Sequence, residues 1–167
     1  MVKTLLIMRH GKSRWDKPGI TDLERGLKKR GKRDALRMGK EMAAQGLIPD
    51  LVLSSPARRA RATARHFIQA SGGQSEFHCH AELYECNAWE LLKLVRTIPK
   101  SVDIALLVGH NPSLEEMLWM LTRQVLRLPT AAIGCIRFID LDWAQIGPGS
   151  GHLEFVLRPR EVIPPAH

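Results

Sequence analysis

Apolar and polar positions alternate along the chain in blocks that have the lengths of strands and helices. A mostly apolar segment at residues 3–8 and apolar runs at 51–53 and 104–108 predict buried strands. Between these runs, apolar residues recur at intervals of three and four, which predicts helices that each bury one face. Strands that alternate with helices favour a mostly parallel sheet with helices on both sides.

The whole pattern predicts an α/β fold, a three-layer α/β/α sandwich whose central sheet has an antiparallel edge strand. The strands at 133–139 and 152–157 are expected to be antiparallel neighbours, because a glycine-rich turn joins them. A further strand is predicted at 76–83. The predicted apolar stripes of the helices lie within residues 27–42, 57–68, 88–98 and 114–121.

Three of these helices are preceded by residues that favour a helix N-terminus. Ser55 is predicted to cap the second helix, with Pro56 at its first position. Asn87 is predicted to cap the third. Asn111, which also stands before a proline, is predicted to cap the fourth.

Length and composition predict one domain that covers residues 1–167. The chain is 44% hydrophobic and 25% charged, as is usual for globular proteins. The Pro-rich tail from about residue 159 is expected to be frayed. No apolar run is long enough for a membrane span, and the three cysteines form no CxxC pair, so a cytoplasmic location is expected. The net charge of +8 indicates anionic partners.

The ends of three predicted strands carry residues that suit a phosphate group. They are Arg9-His10-Gly11, then Ser55-Pro56 followed by Arg58 and Arg59, and finally Gly109-His110-Asn111. The carboxyl ends of parallel strands lie at one edge of a sheet, so we expect these segments to meet. Arginine forks and helix N-termini both bind phosphate oxygens. The sequence therefore predicts a phosphate site at this edge.

Taken together, these motifs resemble those of the histidine phosphatase, or phosphoglycerate mutase-like, superfamily. Arg9-His10-Gly11 matches the signature at the end of its first strand. Residues 55–64 resemble its second motif, and Val108-Gly109-His110-Asn111-Pro112 resembles its third. The match runs in order to about residue 122. The short chain is similar to the SixA-type branch, which removes phosphate from phosphohistidine on proteins.

The resemblance implies roles for four side chains that hold and receive the phosphoryl group. His10 would attack the phosphorus and form a phosphohistidine intermediate. Arg9 and Arg59 would place positive charge against the phosphoryl oxygens, and His110 would donate to the same oxygens as the cation. No metal and no cofactor is expected, because the arginines supply the charge that a magnesium ion would bring.

The acid and the substrate-binding residues are also taken from the resemblance. Glu85, in Leu83-Tyr84-Glu85, would protonate the leaving group and later accept a proton from water, and Glu82 is a rival for this role. Trp15 lies in the loop after the nucleophile and is expected to line the site. The full set of predicted substrate-binding residues is Gly11, Ser13, Trp15 and Asn111.

Three functions remain open at this point. The first is a phosphatase that acts on phosphohistidine or another phosphoprotein, and the second is a phosphomonoesterase that acts on a small phosphorylated metabolite. The third is a phosphate- or nucleic-acid-binding module without turnover, which the net charge of +8 favours. Nucleic acid is not the expected partner, because no aromatic stacking platform is visible. No membrane partner is expected, and the oligomeric state is left open.

Overall fold

The computed structural model describes residues 1–15 and 17–162. Within these residues the sheet strands are β1 (Val2–Arg9), β2 (Leu51–Ser54), β3 (Glu76–Cys79), β4 (Ile104–Gly109), β5 (Ile133–Ile139) and β6 (His152–Leu157). The α-helices are α1 (Lys29–Ala44), α2 (Arg58–Ala70), α3 (Ala88–Val95) and α4 (Ser113–Thr122).

The strands form one mixed sheet in the order β3-β2-β4-β1-β5-β6. The pairs β3–β2, β2–β4 and β4–β1 are parallel, whereas β5 is antiparallel to both β1 and β6. Arg9 is in register with Gly109, and Ser54 is in register with Val108. The predicted α/β fold class is confirmed. Among the described strands, β5 is the one that runs opposite to the others, and it lies next to the edge strand β6.

The two faces of the sheet are covered by different helix pairs. Alternate residues of β1 divide between them, because successive side chains of a strand point to opposite faces. Leu6 and Met8 pack with α1 and α2, whereas Leu5 and Ile7 pack with α3 and α4. All four of these side chains are fully buried. This double cover explains why the central strands read as unbroken apolar runs.

Two of the three predicted helix caps are wrong. Helix α2 begins at Arg58, not at Pro56, because the Ser55 Oγ accepts the N–H of Ala57 in a tight turn before the helix. Helix α4 begins at Ser113, and the Asn111 side chain is directed instead to another loop. The Asn87 cap is confirmed, since its Oδ1 accepts the N–H of Glu90 at 2.9 Å.

Two further segments differ in detail from the predictions. Strand β3 stops at Cys79, and the rest of the predicted strand is a 3-10 helix, Ala81–Leu83. The first residues of the predicted tail form another 3-10 helix, Pro159–Glu161, and Val162 packs against the core. Residues 163–167 of that tail lie outside the described residues. Among the described residues, no helix is long and apolar enough to cross a membrane.

Candidate active site

The predicted catalytic residues meet at the carboxyl edge of the parallel strands. Arg9 and His10 follow β1, Arg59 lies in the first turn of α2, and His110 follows β4. Together with Glu85 they line one open pocket of about 370 Å³. The strand register brings these segments together, because Arg9 and Gly109 are directly paired across β1 and β4.

His10 is buried, and its ring is held in one tautomer. Its Nδ1 lies 2.8 Å from the carbonyl oxygen of Gly11. A carbonyl oxygen only accepts, so Nδ1 carries the hydrogen and Nε2 keeps its lone pair. Burial lowers the pKa of His10 to about 3. The imidazole is therefore neutral at pH 7, with one nitrogen free to act as a nucleophile.

Gly11 serves the packing of this loop. A Cβ at Gly11 would lie 2.8 Å from the carbonyl oxygen of Gly31, and one at Gly31 would lie 2.3 Å from that of Lys12. The loop after β1 therefore lies directly against the first turn of α1. The N–H of Gly11 donates to Thr63 Oγ1 at 2.9 Å. Since this donor is already used, the prediction that Gly11 binds substrate is not supported.

Two arginines face the pocket, of which Arg59 is buried and Arg9 is half-buried. Arg59, which is 4% exposed, donates through Nη1 to the backbone oxygen of Asp22 at 2.7 Å and through Nη2 to its Oδ2 at 3.0 Å. Arg9 donates through Nη1 to the Leu128 carbonyl at 3.3 Å. The Nε atoms of Arg9 and Arg59 are buried without a partner among the described residues. An oxyanion is the kind of ligand that would accept hydrogen bonds from such unsatisfied donors.

His110 stands beside His10, with 5.2 Å between the ring centroids. Its Nδ1 lies 3.4 Å from Arg59 Nη2, which only donates, so Nδ1 accepts. Its Nε2–H then donates to Ser55 Oγ at 2.8 Å. Burial and the Arg59 charge lower the pKa of His110 to about 4. His110 is therefore neutral in the ligand-free protein, whereas the predicted cation belongs to the complex with a phosphoryl group. A phosphate dianion would favour protonation of Nδ1 by its charge.

A group of residues that was not predicted from the sequence completes the pocket wall. Asp22 Oδ2 accepts from Tyr84 Oη at 2.6 Å as well as from Arg59, and Oδ1 accepts from Arg25 Nη2 at 3.3 Å. These hydrogen bonds, from Tyr84 first, lower the pKa of Asp22 to about 2. The carboxylate thus occupies arginine donors in the way that a phosphate would. An incoming phosphate must share Arg59 with Asp22 or displace it.

No sequence signal marked this group. Asp22 and Arg25 lie in the long polar loop between β1 and α1, where apolar spacing carries no information. Tyr84 stood beside the predicted acid, but its partner lies 62 positions away along the chain.

Two predicted substrate-binding residues lie outside the pocket lining and instead hold Arg25. Ser13 Oγ accepts a hydrogen bond from Arg25 Nη1. Trp15, which is 76% exposed, stacks on the Arg25 guanidinium with its ring centroid 3.6 Å from Cζ. Asn111 does line the pocket, and its Oδ1 is buried without a partner among the described residues. Ser13 and Trp15 therefore act on the site through Arg25.

The two candidate acids are separated by the fold. Glu85 is exposed at the pocket, next to Tyr84 and Cys86. Glu82 is absent from the pocket lining, and its carboxylate lies 3.7 Å from His80 Nδ1. Of the two, only Glu85 is placed where it can exchange a proton with a group leaving the pocket.

Comparison with known proteins gives the same family as the motifs. The model of the histidine phosphatase superfamily (branch 1) matches residues 5–102. An uncharacterised protein of Mycobacterium tuberculosis is 30% identical over 158 residues, which are 87% of this chain and 96% of that protein. A 2,3-bisphosphoglycerate-dependent phosphoglycerate mutase of Bartonella quintana is 34% identical over 74 residues, which are 43% of this chain and 36% of the mutase.

The fold also matches a solved structure over almost its full length. It is a SixA from Agrobacterium tumefaciens that is described as a candidate phosphohistidine phosphatase. The TM-score is 0.81 at 26% identity, and the alignment covers 94% of this chain and 98% of the other.

Proposed function

Because the chain belongs to the histidine phosphatase superfamily, we propose that it is a metal-independent phosphatase, a single domain that transfers a phosphoryl group to His10 and then to water. The similarities themselves support a phosphatase or a mutase-like phosphotransferase. The observation that carries the proposal is the tautomer of His10. Its Nδ1–H is held by the Gly11 carbonyl, which leaves Nε2 as an unprotonated nucleophile beside two arginines.

In the first step, His10 Nε2 attacks the phosphorus as the bond to the leaving group breaks. Phosphoryl transfer requires mainly positioning and positive charge against the three equatorial oxygens. Arg9 and Arg59 supply fixed positive charge, and the burial of Arg59 strengthens its attraction for those oxygens. His110 adds a donor to the same oxygens once the bound dianion favours protonation of its Nδ1.

In the second step, water attacks the phosphohistidine and His10 leaves as the neutral imidazole. Glu85 donates its proton to the leaving oxygen or nitrogen in the first step. The resulting carboxylate then accepts a proton from the attacking water, which returns the enzyme to its starting state. Glu85 is exposed, so it reaches the leaving group from the solvent side of the pocket.

The proposed substrate is phosphohistidine or another phosphorylated residue on a protein. The pocket is open, and no inserted domain covers it among the described residues. An open pocket admits a phosphorylated side chain that projects from a folded partner. The alternative substrate is a small phosphorylated metabolite, which the same chemistry would serve.

Turnover of a generic aryl phosphate in the presence of EDTA tests the proposal. We expect phosphate release at the same rate with and without the chelator, because guanidinium groups provide the charge in this pocket. Phosphate release can be followed with a colorimetric assay. A protein that binds phosphate or tungstate without any turnover would be a binding module, and the proposal would be wrong.

The variant Glu85→Gln separates the two substrate classes. Imidazole is a good leaving group, so we expect hydrolysis of a phosphohistidine peptide to change less than about threefold, whereas that of an alkyl phosphate falls about 100-fold. Glu82→Gln is the matched control and is expected to change neither rate. If Glu85→Gln slowed both hydrolysis rates equally, imidazole would need the acid as much as an alkoxide does, and the variant would not separate the two substrate classes. Loss in Glu82→Gln alone would move the acid to that residue.

A further inference from the structure

A second pocket opens beside the phosphate pocket and shares part of its wall. It encloses about 620 Å³, and both Arg9 and Asn111 line the two pockets. We call it the arginine groove. Its other arginines come from α1, from the loop after α4 and from the segment after β6, and they are Arg30, Arg127, Arg158 and Arg160.

The groove carries an excess of positive charge. Among its described lining residues, Glu115 is the one carboxylate, and its Oε2 accepts the N–H of Leu128 at 2.7 Å. Two flanking carboxylates, Asp34 and Glu161, pair with groove arginines at 3.6 and 3.2 Å. Even with both counted, five arginines face three carboxylates. The excess positive charge favours an anionic ligand.

The wall between the two pockets is fixed in place. Arg9 Nη1 and Asn111 Nδ2 both donate to the carbonyl of Leu128, at 3.3 and 2.9 Å. Leu128 is 1% exposed, so its side chain anchors this loop in the core. A ligand in the groove therefore lies against the same two residues that border the phosphate pocket. One chain that occupies both pockets needs no rearrangement of the wall.

We propose that the arginine groove binds an acidic stretch of a phosphorylated polypeptide whose phosphoryl group occupies the adjacent pocket. The inference rests on the proposed function and narrows its substrate class. The groove arginines come from four separate segments of the chain, which suits several carboxylates spaced along an extended polypeptide. Complementary charge of this kind accelerates association and sets partner preference.

The first test compares phosphohistidine peptides of equal length, one with Asp and Glu beside the phosphorylated residue and one with Asn and Gln. We expect kcat/KM to be about tenfold higher for the acidic peptide at low salt. The ratio should fall towards one near 1 M salt, where the Debye length is about 3 Å. Fluorescein-labelled, unphosphorylated versions report binding by anisotropy, independently of turnover, and the acidic one should bind more tightly.

Charge-reversal variants test whether the preference for the acidic peptide arises in the arginine groove. In the double variant Arg127→Glu/Arg160→Glu we expect the acidic peptide to lose its advantage in both assays. A peptide with lysines at the same positions should then become the better substrate and the tighter ligand. Arg33→Glu, an exposed arginine on α1 outside this groove, is the matched control and should keep the wild-type ratio.

The outcomes separate this inference from the proposed function. Aryl phosphate turnover without any preference for the acidic peptide would overturn the groove assignment and leave the phosphatase intact. Absence of all turnover would overturn the proposed phosphatase activity. The relative affinities of the two peptides, measured by anisotropy, would still test whether the groove binds the acidic one. An acidic preference that survives the double variant would place recognition elsewhere. Tighter binding of an oligonucleotide or of anionic lipid vesicles than of the acidic peptide would also overturn it.

Discussion

The variant His10→Ala is expected to lose turnover of every phosphorylated substrate by at least about 10⁴-fold, roughly 5 kcal/mol in the activation barrier. The reason is that the other described imidazole of the pocket, His110, has both ring nitrogens engaged, by Arg59 and by Ser55, whereas Nε2 of His10 is free. The one thiol there, Cys86, has its pKa raised by burial and stays protonated. The measurement is phosphate release from the aryl phosphate and from a phosphohistidine peptide.

The protein should remain folded when His10 is replaced. The side chain donates a hydrogen bond to the Gly11 carbonyl, and such a bond contributes about 1 kcal/mol to stability. Circular dichroism and thermal unfolding check this point. His152→Ala, at an exposed histidine on β6, is the control and should keep full activity.

Trapping the intermediate gives a second, independent readout. Wild-type enzyme mixed with substrate and quenched in alkali should carry a phosphoryl group on the peptide that contains His10. Recovery of the label on the peptide that contains His110 would exchange the roles of the two histidines. Full activity in His10→Ala would end the nucleophile assignment altogether.

The second large effect is expected for Arg59→Ala, with kcat/KM lower by about 10²- to 10³-fold. This guanidinium is buried in the pocket, where its charge is poorly screened, and it donates to Asp22 and faces His110. Arg58 is the adjacent residue on the same helix, yet it is exposed and lies against Gly26. Arg58→Ala should therefore change kcat/KM by less than about threefold.

The inhibition constant for tungstate or vanadate shows whether Arg59 acts on the phosphate itself. We expect inhibition to weaken together with turnover in Arg59→Ala and to stay unchanged in Arg58→Ala. Arg59→Lys keeps the charge but loses the planar fork, so it should fall between the wild type and Arg59→Ala. A larger loss of kcat/KM in Arg58→Ala than in Arg59→Ala would mean that the family motif at residues 55–64 is aligned with an error of one residue.

Local patterns predicted the parts of the fold that depend on periodicity. Burial of both faces of β1 required an unbroken apolar run from Leu5 to Met8, and that run is visible in the sequence. The helix starts at Ser55 and Asn111 were predicted wrongly. Ser55 Oγ accepts from Ala57 in a tight turn and also lies against the distant His110, and Asn111 donates to the distant Leu128. A local capping rule cannot include the distant partners.

The pocket residues divide in the same way, into those that local patterns predicted and those that depend on partners far apart in the chain. Its predicted residues stand at strand ends, where parallel topology alone brings them together. The Asp22 carboxylate that occupies Arg59, and the Tyr84 that holds it, were invisible because a polar loop has no spacing that reports its path. Ser13 and Trp15 were read as ligand contacts, whereas they hold Arg25 from positions in that same loop.

By itself, the sequence determined the layered α/β fold and the meeting of His10, Arg9, Arg59 and His110, because both follow from apolar periodicity and parallel strand ends. The tertiary structure alone decided which nitrogen of His10 is free, that His110 is neutral without ligand, and that five arginines line a groove beside the pocket. Those properties depend on burial and on partners far apart in the chain. They exist only once the segments have packed against one another.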